Sequence, residues 1–357
     1  MASGLRQTIL AYHIGSLGDA IVTMPALRAT RRRFPDAKIV LLTNTSRSAS
    51  LATTDTVIGG SGLVDEFVSY DVAKTRTPGA WLKLIRRLRP YGATVGVYLA
   101  PTERLARSVT RDRWFFRLCG ARTLFGFHAF DSAELHPRGP DGRPASVPHE
   151  AIRKLERLAR DGWIADASVL DPPFFTWTPE EHAAADAWLA PRRRPGARLV
   201  ALAPATTLPS KTWPFDRFVA LGHRLLTAGV DLVVVGGPSD APQGEALVRV
   251  WGAGHVAAGA LPLRASAALL NRCAFSIGVD SGSTHLAAAA GTRCVTIAAD
   301  RDQPGQWSPL GHGHVIVRES VACGGCYATE CPEPGHPCLS RITVDRVWQA
   351  MREGGLV

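Results

Sequence analysis

Lysine is scarce in this chain: of 41 basic residues among 357, five are lysine and the rest arginine. Long apolar runs are missing too. The most apolar long window, Cys273–Thr292, contains Asp280 and several hydroxyls, so no transmembrane helix is expected. The first fifteen residues show no leader pattern and already resemble a strand. The expectation is a soluble, cytoplasmic protein. G-x-G-x-x-G and G-x-x-x-x-G-K-[ST] are both absent, which disfavours a nicotinamide dehydrogenase and a P-loop ATPase. No helix-turn-helix, zinc-finger or RNA-binding signature occurs, so nucleic acid is the weakest partner class.

What is present is arginine, alanine and a formal net charge of +10 with a pI near 9.7. Coding bias in a GC-rich genome explains this as well as a basic face for phosphorylated glycan or a membrane surface does. Seven cysteines fall unevenly. Cys119, Cys273 and Cys294 lie in apolar contexts and read as core thiols. Cys323, Cys326, Cys331 and Cys338 crowd into a C-x2-C-x4-C-x6-C segment, which suits a structural zinc or iron as well as reduced, packed thiols.

The length suggests two domains, and two βα series bear this out. The first has strand-like runs at Thr8–Tyr12, Lys38–Thr43, Leu63–Val68, Thr94–Leu99 and Thr123–Phe127, with helical patterns at Pro25–Phe34 and Gly79–Leu88. The second has runs at Arg198–Ala203, Asp231–Gly236, His255–Ala258, Phe275–Val279 and Cys294–Ala298. Its helices fit Phe215–Ala228, Gln243–Trp251, Leu263–Arg272, Thr284–Ala290 and Thr343–Met351. Alternating strands and helices mean parallel sheets. Trp188–Val200, rich in proline and arginine, reads as the linker. The division is then 1–194, 195–342 and a C-terminal helix in 343–357. Thr102–His149 shows no decipherable pattern.

Chemistry concentrates in the turns after strands. Gly15 and Gly18 permit a tight turn before Asp19, which reads as a helix cap or as a general base facing a cleft; the helix either starts at Pro25 or kinks there. In Pro204–Pro214, Thr206, Thr207, Ser210 and Lys211 suit a diphosphate clamp, or an ordinary surface loop. Gly278–Thr292 ends a strand in Asp280. Ser281, Gly282 and Ser283 then offer N–H groups and hydroxyls to phosphate, and His285 is either a ligand contact or a buried structural histidine. Asp240 and Glu245 read as helix N-terminal acids or ribose acceptors.

Taken in order, G-S-L-G-D-A-I-V-T-M-P-A-L-R-A, A-T-T-x3-K-x-W-P, V-V-V-G-G-P and G-V-D-S-G-S-T-H-L-A-A-A resemble glycosyltransferase family 9, the ADP-heptose:lipopolysaccharide heptosyltransferases. The resemblance covers almost the whole chain. It implies an α/β GT-B fold, two Rossmann-like domains facing a cleft, with the last helix crossing back to the N-terminal domain. It also implies metal-independent, inverting transfer of a heptose from a nucleotide diphosphate to an acceptor hydroxyl. Asp19 maps onto the proposed base, Thr206, Thr207 and Lys211 onto the diphosphate grip, and Asp280, Ser281, Gly282 and His285 onto the donor-sugar and phosphate contacts. His13 stands where members often carry arginine or lysine. The implied partners are a nucleotide-sugar donor and an anionic glycan or lipid-linked acceptor at the inner membrane face, with no integral membrane segment. A sugar-nucleotide epimerase or hydrolase, transfer to a protein or small molecule, and a basic adaptor are the rival expectations.

Overall fold

The computed structural model describes residues 6–45, 52–75 and 77–357. The chain divides into two compact units: Met1–Leu135 with Glu150–Asp171, and His136–His149 with Pro172–Val357.

The first unit is a five-stranded sheet of β1 (Thr8–Tyr12), β2 (Lys38–Asn44), β3 (Glu66–Tyr70), β4 (Val95–Tyr98) and β5 (Thr123–Phe125), in the order β3-β2-β1-β4-β5. All its pairs are parallel. β1, TILAY, is buried along its whole length, as expected of a strand covered on both faces. On one face Leu10, Tyr12, Val40, Leu42, Val68 and Tyr98 meet Leu84, Ile85, Val109, Phe115 and Phe116, which lie on helices Pro78–Leu88 and Ala106–Cys119. Helix Leu17–Arg33 packs against helix Glu150–Ala159.

The second unit holds β6 (Leu199–Ala203), β7 (Asp231–Val234), β8 (His255–Val256), β9 (Phe275–Val279), β10 (Cys294–Ala298) and β11 (Val315–Arg318). Their order is β11-β10-β9-β6-β7-β8, again parallel throughout. Numbered from β6, that is the doubly wound order 3-2-1-4-5-6. In each sheet the connections reverse direction at one point, β1/β4 in the first and β6/β9 in the second. Ligands of open α/β sheets bind beyond the carboxyl ends of the strands at that point.

Three expectations need correction. The first helix begins at Leu17, with Pro25 inside it. The Ser16–Asp19 cap starts the helix early, and Pro25 removes one internal hydrogen bond, that to Ile21. The units also change over near Pro172 rather than residue 195, because helix Pro179–Leu189 packs on helix Leu263–Asn271. Arg264 to Glu181 (2.5 Å) and Arg272 to Asp186 (3.0 Å) reinforce that contact. Finally, helix Val344–Glu353 buries Val347 and Met351 in the core of the second unit and lies against β11 and helix Phe215–Thr227. Its apolar face belongs to that core.

Candidate functional site

Both reversal points gather the chemistry-bearing residues. In the first unit the chain leaves β1 through His13, Ile14 and Gly15, and Ser16 is the N-cap of helix Leu17–Arg33. Asp19 is its third residue, half-buried, and its Oδ2 accepts from the Ser16 N–H (2.7 Å) and Oγ–H (2.8 Å). A Cβ on Gly15, at φ +156°, would lie 2.3 Å from Asp19 Cβ, so only glycine fits. The Gly15 N–H also donates to Asn44 Oδ1 at the end of β2 (2.8 Å). Gly18 is buried in the first turn. Asp19 is therefore a cap, held at the carboxyl edge of the sheet.

His13 is fully buried. Thr23 Oγ1 gives its one proton to Asp19 O (2.7 Å), so His13 Nδ1, 3.1 Å away, is the donor to that hydroxyl. Burial, with the Lys154 ammonium nearby, pushes the imidazole down to about 3. It is neutral at physiological pH and supplies no charge. Beside it, helix Glu150–Ala159 buries Glu150, Lys154 and Arg157. Lys154 Nζ donates to Leu99 O (3.0 Å), just beyond β4, and pairs with Glu150 (3.2 Å). Burial raises the Glu150 carboxyl, but Lys154 and the Thr102 donors outweigh it and hold the group low. Sequence reasoning missed this trio. The available signal was Glu150 and Lys154 at i,i+4 in a chain with so few lysines.

In the second unit the turn after β6 brings Lys211 to the carboxylate that ends β9. Lys211 Nζ lies 2.5 Å from Asp280 Oδ2 and 3.0 Å from Asp302 Oδ2. All three residues are buried. Burial alone would lower the ammonium, but the two carboxylates raise it; Lys211 and His285 in turn hold the Asp280 carboxyl well below its ordinary range against burial. His285 Nε2 is 3.5 Å from Asp280 Oδ1. Lys211 is thus neutralised by two acids rather than standing free as a phosphate cation. Thr206 is half-buried and its Oγ1 accepts from Leu208 N–H (3.2 Å), while Thr207 is exposed. Ser281 caps helix Gly282–Ala289; Ser281, Gly282 and Ser283 are half-buried. A Cβ on Gly278 would sit 2.5 Å from Ala203 O, so glycine lets β9 and β6 approach here.

Beside this pair lies a cavity of about 220 Å³, lined by Asp280, Thr296, Asp302, Gln303, Trp307 and Arg318 among others. Thr296 Oγ1 and Gln303 Oε1 are buried there without a hydrogen-bond partner, as is Ser281 Oγ nearby. Buried polar atoms normally find partners, so the wall is suited to a ligand rich in hydroxyls. Asp302 and Gln303 were not singled out from the sequence; acids just beyond the end of β10, at the carboxyl edge of a parallel sheet, were the signal.

The cysteine segment lies beside the Lys211 turn. Among the described residues no group of three or more histidine, cysteine or acidic side chains is arranged to hold an ion. Cys338 is buried in the core, Cys326 is exposed, and Cys323 and Cys331 lie between those extremes. The segment straps the Lys211 turn. The Ser210 N–H donates to Thr329 O (3.0 Å), Ser210 Oγ to Ala328 O (2.7 Å), and His336 Nε2 contacts Ser210 O (3.0 Å). Arg301 ties the same strap to Asp302 by donating to Tyr327 O, Ala328 O and Asp302 Oδ1. Asp240, for its part, accepts from its own turn at the Gly237 N–H (2.8 Å).

Residues 174–336 match the sequence profile of glycosyltransferase family 9 (heptosyltransferase). No curated protein sequence matches the chain. Along nearly its full length the fold is similar to solved structures. The glycosyl transferase family 9 protein from Veillonella parvula has a TM-score of 0.76 and 20% identity, over 99% of both chains. The ADP-heptose lps heptosyltransferase II from E. coli has a TM-score of 0.69 and 18% identity, over 98% of both. The E. coli heptosyltransferase WaaC with ADP has a TM-score of 0.64 and 17% identity, over 98% of this chain and all of that one. Residues 174–336 are a glycosyltransferase family 9 domain, and the chain that carries it is a glycosyltransferase of the GT-B fold.

Proposed function

We propose that this glycosyltransferase moves a heptose or closely related sugar from a nucleotide diphosphate, ADP-heptose by preference, to a hydroxyl of a glycan acceptor such as the lipopolysaccharide inner core, with inversion. The observation that carries the reading is the convergence of Lys211, Asp280 and His285 at the β6/β9 reversal, inside the family 9 domain and beside a hydroxyl-suited cavity. The names of two similar structures, a heptosyltransferase acting on ADP-heptose and one holding ADP, point to the same donor.

In this reading the N–H groups and hydroxyls of Ser281–Ser283, at a helix N-terminus, receive the diphosphate with Thr206 and Thr207. Lys211, poised by Asp280 and Asp302, has three N–H donors and offers one to the departing phosphate as charge develops. Asp280, Thr296 and Gln303 meet sugar hydroxyls in the cavity. Asp19 takes the proton of the acceptor hydroxyl as the new glycosidic bond forms and the bond from the anomeric carbon to the phosphate oxygen breaks, a task worth about 10²–10⁴-fold. Charge stabilisation by these groups calls on no bound metal.

The test is a donor panel read by thermal shift, followed by mass spectrometry of products with candidate acceptors in the presence of a chelator. Stabilisation by ADP-heptose above other nucleotide sugars, with one sugar mass added to the acceptor, supports the reading. Rapid conversion of the donor with no acceptor present would overturn it in favour of an epimerase or hydrolase.

A further inference from the structure

The excess positive charge of this chain has an address. Between Val72 and Phe130 the only acids are Glu103 and Asp112, against twelve lysines and arginines. That difference equals the +10 of the entire protein, so the remainder is balanced, and a genome-wide coding bias does not account for so local an excess. The stretch includes helices Pro78–Leu88 and Ala106–Cys119, which cover one face of the first sheet. The same stretch holds Val72, Leu82, Leu105, Trp114 and Leu118, five of the ten large apolar side chains exposed among the described residues.

These features coincide on one surface. Arg107, Arg111, Trp114 and Leu118 recur at intervals of four, three and four, which puts them on a single stripe of the helix. All four are exposed, Trp114 by 67% and Leu118 by 57%, while Val109, Asp112, Phe116 and Cys119 are buried behind them. The one acid of that helix is thus withdrawn from the surface, where it accepts from Arg104, Arg111 and Tyr98. The neighbouring helix adds exposed Leu82, Lys83 and Arg86, and Arg111 over the Trp81 ring (4.9 Å) links the two helices.

We propose that the outer face of these two helices docks the enzyme on an anionic lipid bilayer. Arginines interleaved with tryptophan and leucine on one helical stripe suit the headgroup boundary, where the rings and alkyl groups enter and the guanidinium groups stay among phosphates. A soluble anion would engage the arginines but leave Trp114 and Leu118 in water. A second copy joined across a two-fold axis would set like charges against each other. Each basic residue near an anionic surface strengthens attachment, so the charge on these helices suits reversible docking. The inference stands independently of the catalytic role of Asp19.

The experiment is vesicle flotation of the full chain at low and high salt, with phosphatidylcholine alone or with phosphatidylethanolamine and phosphatidylglycerol. The wild type should float with the anionic vesicles only and be released by salt. Lys83→Glu/Arg107→Glu should lower that binding at least about 10-fold, and Trp114→Ser/Leu118→Ser by a similar factor. Both variants should keep the wild-type melting temperature and nucleotide-sugar thermal shift. Equal binding to neutral and anionic vesicles, or full binding by both variants, would overturn the proposal. So would gel filtration in which the wild type self-associates and Trp114→Ser/Leu118→Ser does not, with no vesicle binding by either.

Discussion

Gly15 and Asp19 stand in the same relation as Gly236 and Asp240. A Cβ on either glycine would come within 2.6 Å of the aspartate's Oδ2 four residues on, and each carboxylate closes its own turn. The cap geometry therefore does not single out Asp19; its place beyond β1, at the strand reversal, does. Asparagine separates the two roles, because its side-chain oxygen still accepts from Ser16 N–H but cannot take a proton. Asp19→Asn should lose about 10²–10⁴-fold in kcat with a near-native melting temperature and donor affinity. Asp19→Ala should lose the same activity and, in addition, about 1 kcal/mol of stability. Steady-state kinetics beside thermal melts distinguish them, and an active Asp19→Asn would refute the base assignment. His13 gives a prediction of opposite character. Its folded form resists protonation down to about 3, against an ordinary value of 6.5, so below 6.5 the unfolded chain binds a proton that the folded chain refuses. Stability must fall as pH drops through that window, by about 1.4 kcal/mol per unit. Denaturant titrations from neutral pH to pH about 5 should show wild type losing about 2 kcal/mol more than His13→Gln.

At the scale of elements, the cysteine segment turns out to be a brace. Its backbone carbonyls at Tyr327, Ala328 and Thr329 accept from Arg301 and Ser210, so it fixes the two sides of the Lys211–Asp302 pair. Tyr327 and His336 adopt left-handed backbone angles, φ 54° and 49°, a strain of about 1 kcal/mol or more each that the surrounding bonds must offset. Thiol reactivity should follow burial rather than a shared ligand sphere. Cys326 should react first with an alkylating reagent, leaving donor binding intact, and Cys326→Ser should change stability by less than about 0.5 kcal/mol. Cys338→Ser, which places a hydroxyl in the core, should cost about 1–3 kcal/mol in chemical denaturation. Equal sensitivity of all four positions would mean that they act as one cluster. Removing Lys211 is harsher, because Lys211→Met leaves Asp280 and Asp302 buried without their cation. Loss of about 3–5 kcal/mol is expected, together with weaker donor binding in a thermal-shift titration.

For the whole molecule, the second unit is not a contiguous piece of chain. His136–His149 belongs to it and covers the loop that walls the cavity. The Val147 N–H donates to Pro304 O (2.9 Å), His149 Nε2 contacts Ser308 O (2.9 Å), and His136 Nδ1 meets Tyr327 Oη (3.1 Å). The family 9 match begins at residue 174 and leaves this cover out. A fragment starting at Pro172 should therefore melt below the full chain and bind nucleotide sugar more weakly, as calorimetry and a donor titration would show. An unchanged melt would mean that the 136–149 segment is a passenger.

Strands and the turns that follow them were legible from residues 8–12, 199–203 and 275–279 because strands buried on both faces must be nearly all apolar, and glycine must follow where the backbone turns tightly. The motif order then pointed to family 9, and Asp19, Lys211 and Asp280 stood out as polar residues at strand ends. Other features needed the fold. That Lys211 is matched by two acids, that His13 is neutral, and that Lys154 is buried beside it all depend on burial and on contacts that local pattern does not reveal. The same holds for the C-terminal helix and the cysteine brace, whose partners are chosen by complementary apolar surface rather than by any local pattern. Local periodicity determines which elements form; the packing of far-apart elements decides which charges meet.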